Sequence, residues 1–311
     1  MSPARDVPAL VASVIDVGSN SVLLLTVELD AGGRARQRDA ALVTTRLGSG
    51  LEVGGPLDRP ARTRTRDAVV ALAGRARSHG ASRLWGFATG AARRARDGRD
   101  FASELTQAAG CPVAVLSGDE EAALAYAAIR HACAEQARTL LAVDVGGATT
   151  ELTLGRGEAI QGVASLPLGA LALTERDGDV AAEVARVLAD EPLLASARAA
   201  DAVVAASGGT ATALAALDLG LETYQPARVH GHSVAAASLA AIARRARADL
   251  PGVLDEGRAR ILPAGALVLA RVARAAGADA LRVSEHGVRH GYLRQRLAME
   301  RVDADLRALW D

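Results

Sequence analysis

One pattern, written twice, constrains this chain more than anything else in it. The first copy is VASVIDVGSNSVLLLTVEL, from Val11 to Leu29. The second is TLLAVDVGGATTELTLG, from Thr139 to Gly155. Each copy is an apolar β-leaning run, then Asp-Val-Gly, then small or hydroxyl residues, then a second β-leaning run. Two such runs joined by a short glycine-containing link form a β-hairpin. The repeated aspartates, Asp16 and Asp144, are 128 positions apart (144 − 16), about one domain length. A repeat at that spacing indicates a duplicated domain, and the 311-residue chain has room for two.

The chemistry of each hairpin follows from its residue types. Gly and small residues let backbone N–H groups approach an anion closely, and Gly18, Ser19, Asn20 and Ser21 form the first such loop. Gly146, Gly147, Ala148 and Thr149 form the second. Asp16 and Asp144, each ending a strand, are placed to hold a divalent cation or a water beside the anion. Glu151 lies seven positions beyond Asp144, which brings both carboxylates to one end of the hairpin. It could hold the metal there, or be a solvated charge at the hairpin edge. Two facing hairpins would clamp a phosphate chain and its metal between two domains.

Other segments carry weaker signals. Helical periodicity covers Arg62 to His79, Arg99 to Ala109, Glu120 to Glu135, Ala181 to Ala189 and Ala211 to Leu217. Strands read at Arg83 to Ala88, Pro112 to Leu116 and Asp201 to Ala206, and the chain from Ser233 onward reads as mostly helical. This alternation is that of an α/β chain. Arg93 falls in the first turn after a strand, where a guanidinium could face an anion or point to solvent. Ser117-Gly118-Asp119-Glu120-Glu121 opens a helix. Capping and the helix dipole explain two of its three acids and leave one for general-base work on water. Ser207-Gly208-Gly209-Thr210 is either a further anion loop or a plain strand-to-helix turn. His230, His232, His286 and His290 have spacings a metal can use, although such pairs are more often structural.

Composition narrows the function classes. All 36 basic residues are Arg, so a Lys nucleophile or P-loop lysine is excluded. Net charge is zero and aromatics are 2%, which argues against a nucleic-acid partner and against base-stacking surfaces. Two cysteines, Cys111 and Cys133, make neither a disulfide framework nor a zinc site. With no leader-like or membrane-spanning run, the expected location is cytoplasmic, with no membrane partner.

The motifs, in order, resemble the exopolyphosphatase and guanosine pentaphosphate phosphohydrolase family of the actin, Hsp70 and sugar-kinase superfamily. They are Asp16–Ser21, Ala88–Arg93, Ser117–Ala122, Asp144–Glu151, Ser165–Ala170, Ser207–Thr212, Arg260–Gly265 and Ser284–Gly291. The resemblance implies an α/β fold of two ribonuclease-H-like (actin-like ATPase) domains with an interdomain cleft. The domains would span 1–122 and 123–296, with a terminal helix at 297–311 packing back on the first. It further implies Glu121 as catalytic base, Arg93 as phosphate-binding arginine, and Asp16, Asp144 and Glu151 around Mg2+. The substrate would be inorganic polyphosphate or guanosine pentaphosphate, and the assembly a homodimer. A kinase of the same superfamily, or a non-catalytic polyphosphate or alarmone binder, are the rival readings. Three positions depart from the family pattern. Ala148 and Thr149 stand where a third Gly and a Ser are usual, and Ala tolerates positive φ poorly, so the second loop is expected to wrap a phosphate less readily. His290 stands where a Glu is usual.

Overall fold

The structure is a computed structural model that describes residues 10–132, 138–248, 252–307 and 309. Cys133 and the last positions of the expected Glu120-to-Glu135 helix lie outside them. The first half contains β1 (Leu10–Val17), β2 (Ser21–Leu29), β3 (Ala35–Thr44), α1 (Arg59–Ser78), β4 (Arg83–Ala88), α2 (Gly90–Arg94), α3 (Gly98–Ala109), β5 (Val113–Val115) and α4 (Gly118–Ala132). The second half begins with β6 (Thr139–Val145), β7 (Thr150–Arg156), β8 (Ala159–Leu166), α5 (Ala170–Thr174), α6 (Val180–Ala189), α7 (Pro192–Ala199), β9 (Val203–Ser207) and α8 (Gly208–Asp218). It ends with α9 (Pro226–Val229), β10 (Ser233–Ala235), α10 (Leu239–Ala248), α11 (Glu256–Ala275), β11 (Ala280–Val283) and α12 (Val288–Met299).

The two halves repeat one topology. The first sheet runs β3-β2-β1-β4-β5, and the second runs β10-β11-β9-β6-β7-β8. In each, three antiparallel strands lead to parallel strands reached through helices: β1 pairs β4 and β6 pairs β9 in parallel. Registers match as well. Val17 faces Val22 and Asp16 faces Leu23 in the first hairpin; Val145 faces Thr150 and Asp144 faces Glu151 in the second. Each sheet is covered on both faces, so its central strands are almost continuously apolar.

Two helices bridge the halves. Leu124 and Ala125 of α4 belong to the core beneath the first sheet, while Tyr126 and Ile129 pack with Leu140, Ala142 and Ala205 of the second. Helix α12 inserts Val288, Tyr292, Leu293 and Leu297 into the core of the first sheet. It crosses α4 closely, since a Cβ on Gly291 would come 2.1 Å from Leu124 O.

Among the described residues, the terminal helix expected over residues 297–311 is not formed. Helix α12 stops at Met299, and Arg301 takes φ +60°, which a continuing helix does not allow. The following chain instead pairs Asp305 with Arg34 in an isolated parallel bridge and buries Ala304, Leu306 and Leu309 with the first sheet. Strands β3 and β8 were also absent from the sequence reading. Both are edge strands in which exposure does not follow polarity, with Leu42, Val43 and Ile160 exposed and Asp39 buried, so the apolar alternation that marks a strand is weak in them. Among the described residues, no helix is long and apolar enough to cross a membrane.

Candidate active site

Each glycine bend is braced from behind by its own half of the molecule. Gly18 N donates to Ser21 O at 3.0 Å, closing the first loop, and Gly146 N donates to Thr149 O at 2.9 Å in the second. The first loop is pinned by the chain after β3: Thr45 and Arg46 N donate to Asn20 O, and Gly48 N donates to Ser19 O. The second is pinned by α5, where Ala170 N donates to Gly146 O and both Leu171 and Ala172 N donate to Gly147 O. The bends meet at their tips. A Cβ on Gly147 would lie 3.0 Å from Ser19 Cβ and 3.2 Å from Asn20 N. Ala148 needs no left-handed backbone, because the positive-φ non-glycine residues among those described are Arg46, Asp201 and Arg301. The premise of a left-handed residue at 148 therefore does not hold, and the buried Ala148 side chain packs beside Gly90.

A cleft of about 500 Å³ opens beside these bends. Asp16, Gly18, Ser19, Asn20, Ser21, Glu121, Asp144, Gly146, Gly147, Ala148, Thr149, Gly208, Gly209 and Thr210 all line it. Arg93, Glu151 and Ser207 stand behind the wall. Ser207 has a definite job there: its Oγ donates to Asp144 Oδ2 at 3.1 Å. Gly208 has φ +82°, and a Cβ on it would come 2.4 Å from Asp144 Oδ1, so this turn wraps the aspartate and must be glycine.

The α4 N-terminus gives Glu120 and Glu121 different surroundings. Ser117 N donates to Glu120 Oε2 and Glu120 N donates to Ser117 Oγ, a reciprocal cap that occupies Glu120. Glu121, 8% exposed, turns to the cleft instead. Arg93 Nη1 donates to Glu121 Oε2 at 2.6 Å and to Leu116 O at 3.2 Å. Its Nη2 donates at 3.5 Å to Glu151 Oε1, which also accepts from Ser165 Oγ at 3.0 Å. Glu151 is 2% exposed, not a solvated edge charge, and its Oε2 has no hydrogen-bond partner.

Burial pushes Asp16 and Asp144 up to about 7 and Glu151 up to about 8, and repulsion from Glu121 adds to each shift. Burial also raises Glu121, against the pull of Arg93. Buried carboxylates that outnumber the guanidiniums beside them, here Arg93 and Arg289, make a place for a cation. Among the described residues no three His, Cys, Asp or Glu side chains form a closed metal cage. Mg2+ does not require one, since it commonly takes one or two carboxylates and completes its shell with water and phosphate oxygens. Asp16 and Asp144 on the wall, with the orphaned Glu151 oxygen behind, fit a cation of that kind.

The Ppx/GppA phosphatase family model matches residues 40–300 of the chain. The chain belongs to the Ppx/GppA phosphatase family. It is 32% identical over 308 residues to Exopolyphosphatase 2 of Mycobacterium tuberculosis, a match covering 90% of this chain and 96% of that protein. The solved structure of the Aquifex aeolicus Ppx/GppA family member superposes with TM-score 0.73 at 25% identity, covering 94% of this chain and 99% of that one. An exopolyphosphatase from Cytophaga hutchinsonii shares the fold at TM-score 0.82 and 20% identity, over 93% and 98% of the two chains.

This Ppx/GppA family member carries site residues that sequence reading missed. Arg258, Arg289, Tyr224 and Glu285 also line the cleft, and Tyr224 Oη donates to Glu285 Oε1. Arg289 and Glu285 lie inside the Ser284–Gly291 motif, which was the available signal; Tyr224 had none. The histidines do not form a metal cluster among the described residues. His286 stacks on His290 with ring centroids 4.6 Å apart, His230 lies tilted against His286 at 5.1 Å, and burial favours the neutral form of His286 and His290. His232 instead pairs with Asp218 at 2.8 Å.

Proposed function

We propose that this protein is an exopolyphosphatase, releasing orthophosphate from the end of inorganic polyphosphate. The observation that carries the reading is the convergence of both glycine bends, Asp16, Asp144 and Glu121 on one cleft. Phosphoryl transfer depends on positioning and charge neutralisation more than on covalent help. Backbone N–H groups of the two bends would hold the terminal phosphate oxygens. Glu121 would take the proton of an in-line water, and Arg93 would fix the carboxylate that does so. Mg2+, held by Asp16 and Asp144 with Glu151 behind them, would supply charge neutralisation on the scissile group. Family membership and the M. tuberculosis relative support this reading.

Guanosine pentaphosphate is the second reading. The cleft continues past the bends to Tyr224, Glu285 and Arg258, which offer polar and stacking contacts a bare polyphosphate tail does not need. Phosphate release from long-chain polyphosphate, tripolyphosphate and guanosine pentaphosphate, each with and without Mg2+, decides between them. Release from polyphosphate only in the presence of Mg2+ supports the first reading. Binding without release from any of the three identifies a non-catalytic sensor. Homodimerisation and a cytoplasmic location belong to the same proposal, tested by sedimentation and fractionation.

A further inference from the structure

Before a cation binds, a phosphate chain entering this cleft meets an adverse charge balance. Among the described residues the walls carry five carboxylates, Asp16, Glu121, Asp144, Asp255 and Glu285, against two guanidiniums, Arg258 and Arg289. Arg93 does not redress this. It stands off the wall, with Nη1 engaged by Glu121 and Leu116 O and Nη2 directed at Glu151. Arg258 is backed onto the turn after β9, where a Cβ on Gly209 would fall 2.5 Å from its guanidinium carbon.

Arg289 is differently placed. It lies in the first turn of α12, two residues after the N-cap Gly287. A Cβ on Gly287 would lie 3.2 Å from Ser207 Oγ and 3.8 Å from Asp144 Oδ2, so this helix end abuts the second-lobe aspartate. From there Arg289 interacts electrostatically with Asp16 of the first lobe and with Glu285. Its one described hydrogen bond, Nη1 to Leu24 O at 3.5 Å, is at the limit of such bonds. A planar guanidinium of this kind can bind two phosphate oxygens side by side.

We infer that Arg289 is the phosphate-binding guanidinium of the cleft, and that Arg93 is a positioning residue acting through Glu121. An anion seated between β1 and α12 replaces Asp16 as the counter-charge of Arg289. The assignment rests on the reading that the cleft takes a phosphoanhydride chain end.

The test is equilibrium binding of inorganic tripolyphosphate at fixed Mg2+, in a Glu121→Gln background that leaves the ligand intact. Adding Arg289→Ala should weaken binding about tenfold to a hundredfold, the loss expected for charge-assisted bonds. Adding Arg289→Lys should also weaken it, by less, because an ammonium cannot bridge two oxygens. Adding Arg93→Ala should leave affinity within about threefold. With Glu121 intact, Arg289→Ala should raise KM, whereas Arg93→Ala should lower kcat and move the acidic limb of the pH profile. Thermal melting checks folding, and Arg289→Lys serves if the alanine variant does not fold. Tripolyphosphate binding that is unchanged in both Arg289 variants overturns the assignment, as does an Arg93→Ala loss as large as that of Arg289→Ala. A wild-type protein that binds tripolyphosphate through Arg289 yet releases no phosphate overturns the exopolyphosphatase reading and leaves the binding assignment standing.

Discussion

Ser49 Oγ of the first lobe donates to the Glu175 carboxylate of the second at 2.5 Å, and Gly50 N donates to the same carboxylate at 3.1 Å. Glu175 ends α5, the helix that braces the second glycine bend, and Gly48 beside Ser49 braces the first. One carboxylate therefore ties the two supports together across the cleft. Glu175→Ala should free the bends to move apart. Stability should fall by about 0.5–1.5 kcal/mol, since one lost bond is partly buried and the other exposed. KM should rise severalfold, with amide exchange quickening at residues 18–21 and 146–149. Unchanged exchange at both bends would show that something other than this link sets their spacing.

Glu121 must be ionised to act as a base. Burial raises its pKa above the ordinary glutamate value, so the acidic limb of kcat/KM should lie above that value. Arg93 pulls in the other direction, so Arg93→Ala should shift the limb to still higher pH. Glu121→Gln should cost about 10²–10⁴ in kcat. A pH–rate profile of the three proteins checks both statements; an identical limb in wild type and Arg93→Ala would remove Arg93 from its positioning role.

Asp16, Asp144 and Glu151 give the metal-free protein a distinctive pH dependence. Their folded pKa values, about 7, 7 and 8, lie above those of the unfolded chain. Between pH 4 and 8 the folded chain therefore holds protons that the unfolded chain has released. Their contribution to stability is full below about pH 4 and is lost as pH rises through 7 to 8. A cation favours the ionised forms. Mg2+ should thus raise the melting temperature more at pH 8 than at pH 5, and equal shifts at the two pH values would argue against these carboxylates as its ligands.

Ala148→Gly restores the glycine usual in the family, yet the backbone at 148 is not left-handed. Activity should stay within about twofold of wild type. Stability should fall by about 0.4–1 kcal/mol, because glycine gives the unfolded chain more freedom. A large gain in turnover would mean that the loop must adopt another conformation during the reaction.

What could be read along the chain was whatever is local. The β1–β2 and β6–β7 hairpins, strand β4 and helices α3 and α6 follow from periodicity and turn residues within a few positions of one another. Strands β10 and β11 did not, since three or four residues inside a helical stretch carry too little pattern. The Ser117–Glu120 cap shows the same limit in the site. Residue order does not say which acid caps the helix; the hydrogen bonds place Glu120 in the cap, and Glu121 lines the cleft.

By itself the sequence determined the duplicated hairpin, the chemistry of its bends and the carboxylates that accompany them, because each is written in contiguous residues. Only the tertiary structure decided that Arg93 faces Glu121 and Glu151, that Ser207 orients Asp144, and that Arg289 reaches the cleft from near the end of the chain. Those relations join residues 28 to more than 100 positions apart. Pairings at such separation are set by how two sheets and their bridging helices pack, and no local pattern of residue types encodes that.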